Sequence, residues 1–170
     1  AISGHSVREL IASGIGWPFR TEGFSWVMGW IPVYFARKVL ERSDIDWRPP
    51  PDSQEMMPDT DFFDLLERVQ AEAPAGRSVP VKVGASMRCD EYGAFGLAFK
   101  SAVDLGGSYR RVERYGRIVT SVANFRVVAG EKTASFEVIP GSPDRPGLRL
   151  TNELALAAAM ALSREVGTAD

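Results

Sequence analysis

The sequence predicts an α+β fold: mainly helical, with a small antiparallel β-hairpin over about residues 121–139 and an apolar C-terminal helix. Three observations predict it. Apolar residues recur at helical spacing through most of the chain, the period changes to two after Ser121, and the segment Leu154 to Leu162 is apolar around most of its circumference.

Each element has its own local cause. Ser6 followed by Glu9 is a capping-box pair that opens a short helix with Val7, Leu10 and Ile11, stopping at Gly14. Gly16 to Trp30 carries Trp17, Phe19, Phe24, Trp26 and Trp30 between glycines, with neither helical nor strand periodicity. Pro32 at a first turn introduces a helix with Tyr34, Phe35 and Val39 on one face, ending near Ser43. From Asp44 to Pro58, Trp47, Pro49-Pro50-Pro51 and Pro58 predict a rigid, extended connector. Asp59 to Asp61 supply N-cap oxygens for a helix striped by Phe62, Leu65, Leu66 and Val69, ending before Pro74 and Gly76. Val79 to Val83 reads as a short strand.

The second half continues in the same way. Asp90 to Ser101 forms a short helix, interrupted by Gly93 and Gly96, and Asp104 caps a longer one with Leu105, Tyr109, Val112, Tyr115 and Val119 on one face. In Thr133 to Ile139, Ala134, Phe136 and Val138 alternate with polar residues, and Phe125 and Val127 precede a turn at Gly130, which makes a hairpin. A Pro/Gly-rich loop from Pro140 to Gly147 leads to Thr151, which caps the last helix. That helix stops at Gly167. Its excess of apolar residues predicts burial within the domain or between subunits, with Leu154, Ala158, Ala161 and Leu162 as the expected dimer contact.

Composition narrows the function. In 170 residues, 45% hydrophobic and 25% charged, there is material for one globular domain with its own core. Lys plus Arg total 20 against 22 Asp plus Glu, a formal charge of -2, so this chain lacks the cationic field that holds a phosphate backbone. One cysteine, Cys89, and one histidine, His5, exclude an internal disulfide and the common Cys/His zinc sites. No metal or cofactor is called for. Apolar runs fall short of the roughly 18 residues of a membrane span, and no basic-then-apolar leader opens the chain, so a cytoplasmic location is expected.

Candidate chemistry is sparse. Cys89 stands beside Asp90 and Glu91, which raise a thiol pKa and oppose nucleophilic catalysis. The acidic pairs Asp44/Asp46, Asp59/Asp61 and Asp90/Glu91 suit helix capping more than metal or acid-base work. Gly93-x-x-Gly96 and Gly106-Gly107 lack the strand and spacing of a phosphate loop. Arg110, Arg111, Arg114 and Arg117 crowd one helix, and Arg110 and Arg114 share a face that can grip an anion or simply meet water. Tyr92, Phe95, Phe99, Tyr109 and Tyr115 fall in a short span broken by small residues. They can line an apolar pocket, with Arg110 or Arg114 as its anion-seeking group, or fill a core. The residues alone stop at a single α+β domain without a catalytic constellation.

The stretch Tyr92 to Tyr115 resembles the N-terminal effector domain of AraC-type transcription regulators, in the arabinose-binding-like branch. The matching pieces are the Gly-rich turn Gly96-Leu97, then Ser101-Ala102, Leu105-Gly106 and the helix end Arg114-Tyr115. The order of the remaining elements fits from Trp30 to Val166. The resemblance implies a sensing and dimerisation domain over residues 28–170, preceded by an extension over residues 1–27 that matches nothing in the family pattern. It further implies an unidentified small-molecule effector, a homodimer, no membrane, and promoter DNA bound only through a helix-turn-helix half beyond Asp170. The alternative is a small stand-alone enzyme or cofactor-binding protein using Cys89 and nearby carboxylates; a third reading is an interaction module with no ligand.

Overall fold

A computed structural model of the protein describes residues 30–43, 56–141 and 144–167. The expected helix at Ser6 to Gly14, the aromatic run up to Gly29, and Trp47 with its neighbouring prolines lie outside the described residues. The architecture is α+β and mainly helical, with two small antiparallel ladders.

β1 (Trp30–Pro32) runs into α1 (Val33–Arg42) through Pro32, whose fixed φ suits a helix start. α1 buries Phe35, Ala36, Val39 and Leu40, and Ser43 closes it by donating its hydroxyl to the Leu40 carbonyl at 3.0 Å. β2 (Met56–Pro58) pairs antiparallel with β1, Ile31 opposite Met57. The end of the expected irregular connector is therefore a strand, because the ladder to β1 satisfies its backbone. α2 (Asp59–Glu72) follows Pro58 directly, so Asp59 is its first residue rather than a cap. Its carboxylate accepts the Thr60 N–H at 2.8 Å, and Asp59 and Asp61 suit the positive end of the helix. Phe62, Phe63, Leu65, Leu66 and Val69 form the buried stripe.

The expected strand at Val79 to Val83 is instead a helix, α3 (Val79–Ala85). Ser78 accepts the Val81 N–H on its hydroxyl, and Pro80 falls in the first turn where no N–H is needed. Helical spacing puts Val79 and Val83 on the same buried face and leaves Val81 outside, so the valine alternation was misleading.

A 3-10 turn at Cys89–Tyr92 leads to α4 (Gly93–Lys100). Gly93 has φ +54 and Gly96 lies so close to the Cys89 carbonyl that a side chain has no room, which accounts for both glycines by chain reversal and packing. α5 (Leu105–Tyr115) starts on Asp104, whose carboxylate accepts the Gly107 N–H at 2.5 Å. It ends before the expected Val119: a 3-10 turn at Gly116–Ile118 takes over, with Gly116 under the Phe125 ring.

β3 (Ala123–Ala129) and β4 (Ala134–Pro140) form the expected hairpin, closed by the Gly130 N–H donating to the Thr133 carbonyl at 2.7 Å. Phe125 faces Val138 and Val127 faces Phe136 across the ladder, while Arg126 and Glu137 pair at 2.6 Å on the opposite face. α6 (Pro146–Gly167) begins earlier than Thr151. Its start is held by Glu67, which accepts the Gly147 N–H at 2.7 Å and binds Arg145 at 2.9 Å. Thr151 lies inside the helix and donates its hydroxyl to the Gly147 carbonyl.

α6 packs along α3 and α2 and reaches α5 and β4 with its remaining surface. The main core, built from α1, α2, α3 and α6, centres on Val39, Leu40, Phe62, Leu66 and Val83. A second cluster of Cys89, Phe95, Phe99, Val112 and Leu162 lies under the hairpin.

Candidate functional site

Between the two clusters lies a half-enclosed cavity of about 100 Å³. The hairpin supplies Phe125 and Phe136, α4 supplies Phe95 and Phe99, and α5 supplies Tyr109 and Val112. Ala155, Ala158, Ala159 and Leu162 of α6 form the floor, and Tyr92, Ile31, Phe35 and Phe62 close the side toward the main core. Phe125 and Phe136 stack at 5.6 Å and 10°, and Phe136 meets the Tyr109 ring at 4.8 Å. Phe99 meets the other edge of Tyr109 at 5.8 Å.

Among the described residues the wall is almost wholly carbon, and none of those lining it is charged. Tyr109 joins its hydroxyl to Ser163 at 2.7 Å, and Ser163 donates to the Ala159 carbonyl at 2.7 Å. Thr120 accepts the Val122 N–H at 3.1 Å. Burial, with Tyr34 and Glu91 adding, pushes the Tyr92 hydroxyl well above the usual phenol range, so it stays protonated. Behind Tyr92 lies a polar seam in which Glu91 takes Lys38 at 2.9 Å and Arg42 at 2.6 Å. The Tyr34 hydroxyl is buried in the same region with no hydrogen-bond partner among the described residues.

Of the expected ligand contacts, Tyr92, Phe95, Phe99 and Tyr109 converge on this cavity, and Tyr115, Arg110 and Arg114 do not. Tyr115 is 38% exposed beneath the Arg114 guanidinium, and Arg110 reaches back to Asp104 at 3.8 Å. The arginine that turns inward is Arg111, which donates to Ser101 at 2.7 Å and to the Ala98 carbonyl, pinning α5 to the end of α4. Phe125, Phe136 and the alanines of α6 were missed. Their sequence traces were the inward positions of the hairpin and the small residues recurring along the last helix.

Of the four expected dimer contacts, Leu154, Ala158 and Leu162 are only 6%, 4% and 4% exposed because they fill the chain's own core. Ala161 is half-buried. The outward apolar side chains of α6 are Leu156 and Met160, at 45% and 57% exposure, between the exposed Glu153 and Arg164. Cys89 is fully buried, and burial, with Glu165 beside it, pushes its thiol up to about 11. No three His, Cys, Asp or Glu side chains are grouped to hold a metal among the described residues, and none of their helices is long and apolar enough to cross a membrane.

A helical domain enclosing a ligand-sized apolar cavity fits the class of small-molecule sensors. The family profile described as the arabinose-binding domain of AraC transcription regulator, N-terminal, matches residues 36–169, and the chain belongs to that family. It is a regulatory, ligand-sensing domain. No curated protein matches the chain.

Proposed function

We propose that this chain is the cytoplasmic, non-enzymatic sensing half of an AraC-type transcription regulator, and that its effector occupies the cavity between the hairpin and α6. The observation that carries the reading is that one hairpin, five helices and the Cys89–Tyr92 turn meet around a void whose wall, apart from Ile31 and Phe35, falls inside the matched region. An effector there ties the hairpin to α5 and α6. It shifts the regulator only insofar as it binds one arrangement of these elements better than another.

Promoter contacts belong to a helix-turn-helix half outside these residues, in keeping with the formal charge of -2. Two copies associate through the outward stripe of α6 around Leu156, Met160 and Ala161, since large exposed apolar side chains on a helix favour a partner. The rival enzyme reading has little support: Cys89 is buried with a raised thiol pKa, the opposite of an activated nucleophile.

Thermal melts across a panel of amino acids, sugars, fatty acids and cyclic nucleotides test the sensing role. Saturable stabilisation by one class, lost when Ala155→Leu fills the cavity floor, is expected. A panel without any response, or a response untouched by Ala155→Leu, refutes the site. Sedimentation of Met160→Glu tests the dimer, with a shift from dimer to monomer expected.

A further inference from the structure

We infer that the effector of this cavity is a compact, uncharged, predominantly hydrocarbon molecule, aromatic or short-chain aliphatic, and not a sugar or an ionic metabolite. The inference rests on the sensing role proposed above. Its basis is the hydrogen-bonding inventory of the wall. Tyr109 and Ser163 touch at 2.7 Å and reach the same Ala159 carbonyl at 3.3 and 2.7 Å, so both hydroxyl protons are spent within this group. Thr151 spends its proton on the Gly147 carbonyl. Thr120 already takes the Val122 N–H and keeps one proton to give, and the protonated Tyr92 hydroxyl is the wall's other donor.

A pentose carries a hydroxyl on nearly every carbon. Each one buried here without a partner costs about tenfold in affinity. A carboxylate or ammonium fares worse, because among the described residues no lining side chain carries the opposite charge. What the wall offers instead is ring surface: the stacked Phe125 and Phe136, Tyr109 tilted against Phe136, and Phe99 edge-on to Tyr109. The void of about 100 Å³ is smaller than the apolar cavity of about 150 Å³ that takes up benzene, so a single ring or a short alkyl chain enters with part of itself left at the open side. The half-enclosed shape allows part of a ligand to project, and Thr120 can meet one carbonyl or hydroxyl on it.

The test is calorimetry and thermal melting of the chain with indole, toluene, L-arabinose and octanoate, on the wild type, Ala155→Leu and Phe136→Leu. Indole or toluene is expected to bind saturably, raising the melting temperature by about 5 °C at roughly a hundredfold excess over Kd. Ala155→Leu should weaken that binding at least tenfold. Phe136→Leu, which removes a ring without filling the void, should weaken the aromatic probes less and serves if Ala155→Leu fails to fold. Stabilisation by L-arabinose or octanoate that Ala155→Leu abolishes overturns the ligand class while leaving the sensing role intact. Silence from both indole and toluene also overturns the class, and the sensing role is then decided separately by the metabolite panel.

Discussion

The two faces of α6 are packed to different standards. Along α3 and α2 the helix meets its neighbours backbone to backbone: Gly84 lies against the Leu154 carbonyl, with room for a Cβ denied by Ala157 at 2.8 Å, and Gly147 lies against Phe63. Toward the hairpin the same helix faces rings that touch one another around a void. Interiors are normally as dense as organic crystals, and empty space forfeits dispersion contacts. The difference teaches that stability is concentrated in the first region and that the second gives up contacts a ligand can restore.

The largest expected effect breaks the dense side. Gly84→Val drives side-chain atoms into the Leu154 carbonyl and Ala157 and should cost about 3 kcal/mol or more in urea unfolding, despite valine's better helix propensity. A smaller effect sharpens the contrast within a single turn of α6. Ala157→Leu, against Gly84, should cost about 2 kcal/mol, while Ala155→Leu, over the void, should stay within about 1 kcal/mol of wild type. Equal losses from the two leucines would erase the distinction between the regions.

The seam between the regions gives a pH-dependent effect of about 1 kcal/mol. Burial pushes the Glu91 carboxyl up, but hydrogen bonds from Lys38 and the Arg88 N–H and the charge of Arg42 outweigh it and hold the group below its ordinary value. A carboxyl depressed in the folded state stabilises above its unfolded pKa, about 4.3, and loses that contribution as pH falls through the folded value. Glu91→Gln should therefore be less stable than wild type at pH 7, with the gap closing below about pH 4. The smallest effect is a null reaction. With its thiol buried and raised to about 11, folded Cys89 should leave a disulfide reagent unreacted at pH 8 until denaturant is added.

Much of this was legible beforehand, for reasons that differ by element. α1, α2, α5 and the hairpin announced themselves because a single apolar period governs each of them. The β1–β2 ladder left no trace, since pairing Ile31 with Met57 is a non-local event. α3 was hidden by valines that alternate in sequence yet share a helical face at the two that matter, Val79 and Val83. At the site, Tyr92, Phe95, Phe99 and Tyr109 were readable because burial recruits aromatics wherever a pocket or core forms. Arg110 follows Tyr109 by one residue, about 100° around the helix, and so turns to water. Phe136 reaches the same void from a distant strand, a convergence that spacing along the chain cannot express.

Because one helix floors both regions, adjacent residues of α6 answer to opposite demands: Ala157 to Gly84, Ala155 and Ala159 to the cavity, and Ala158 to both. With the effector placed as proposed, a change of preference written into this helix is thus opposed by the packing behind it. Phe136 of the hairpin and Phe95 of α4 stand clear of the α3 packing, whereas Phe125 also covers Gly116. On that placement, new specificities have their simplest starting points at Phe136 and Phe95, where a wall can be redrawn while the foundation stays as it is.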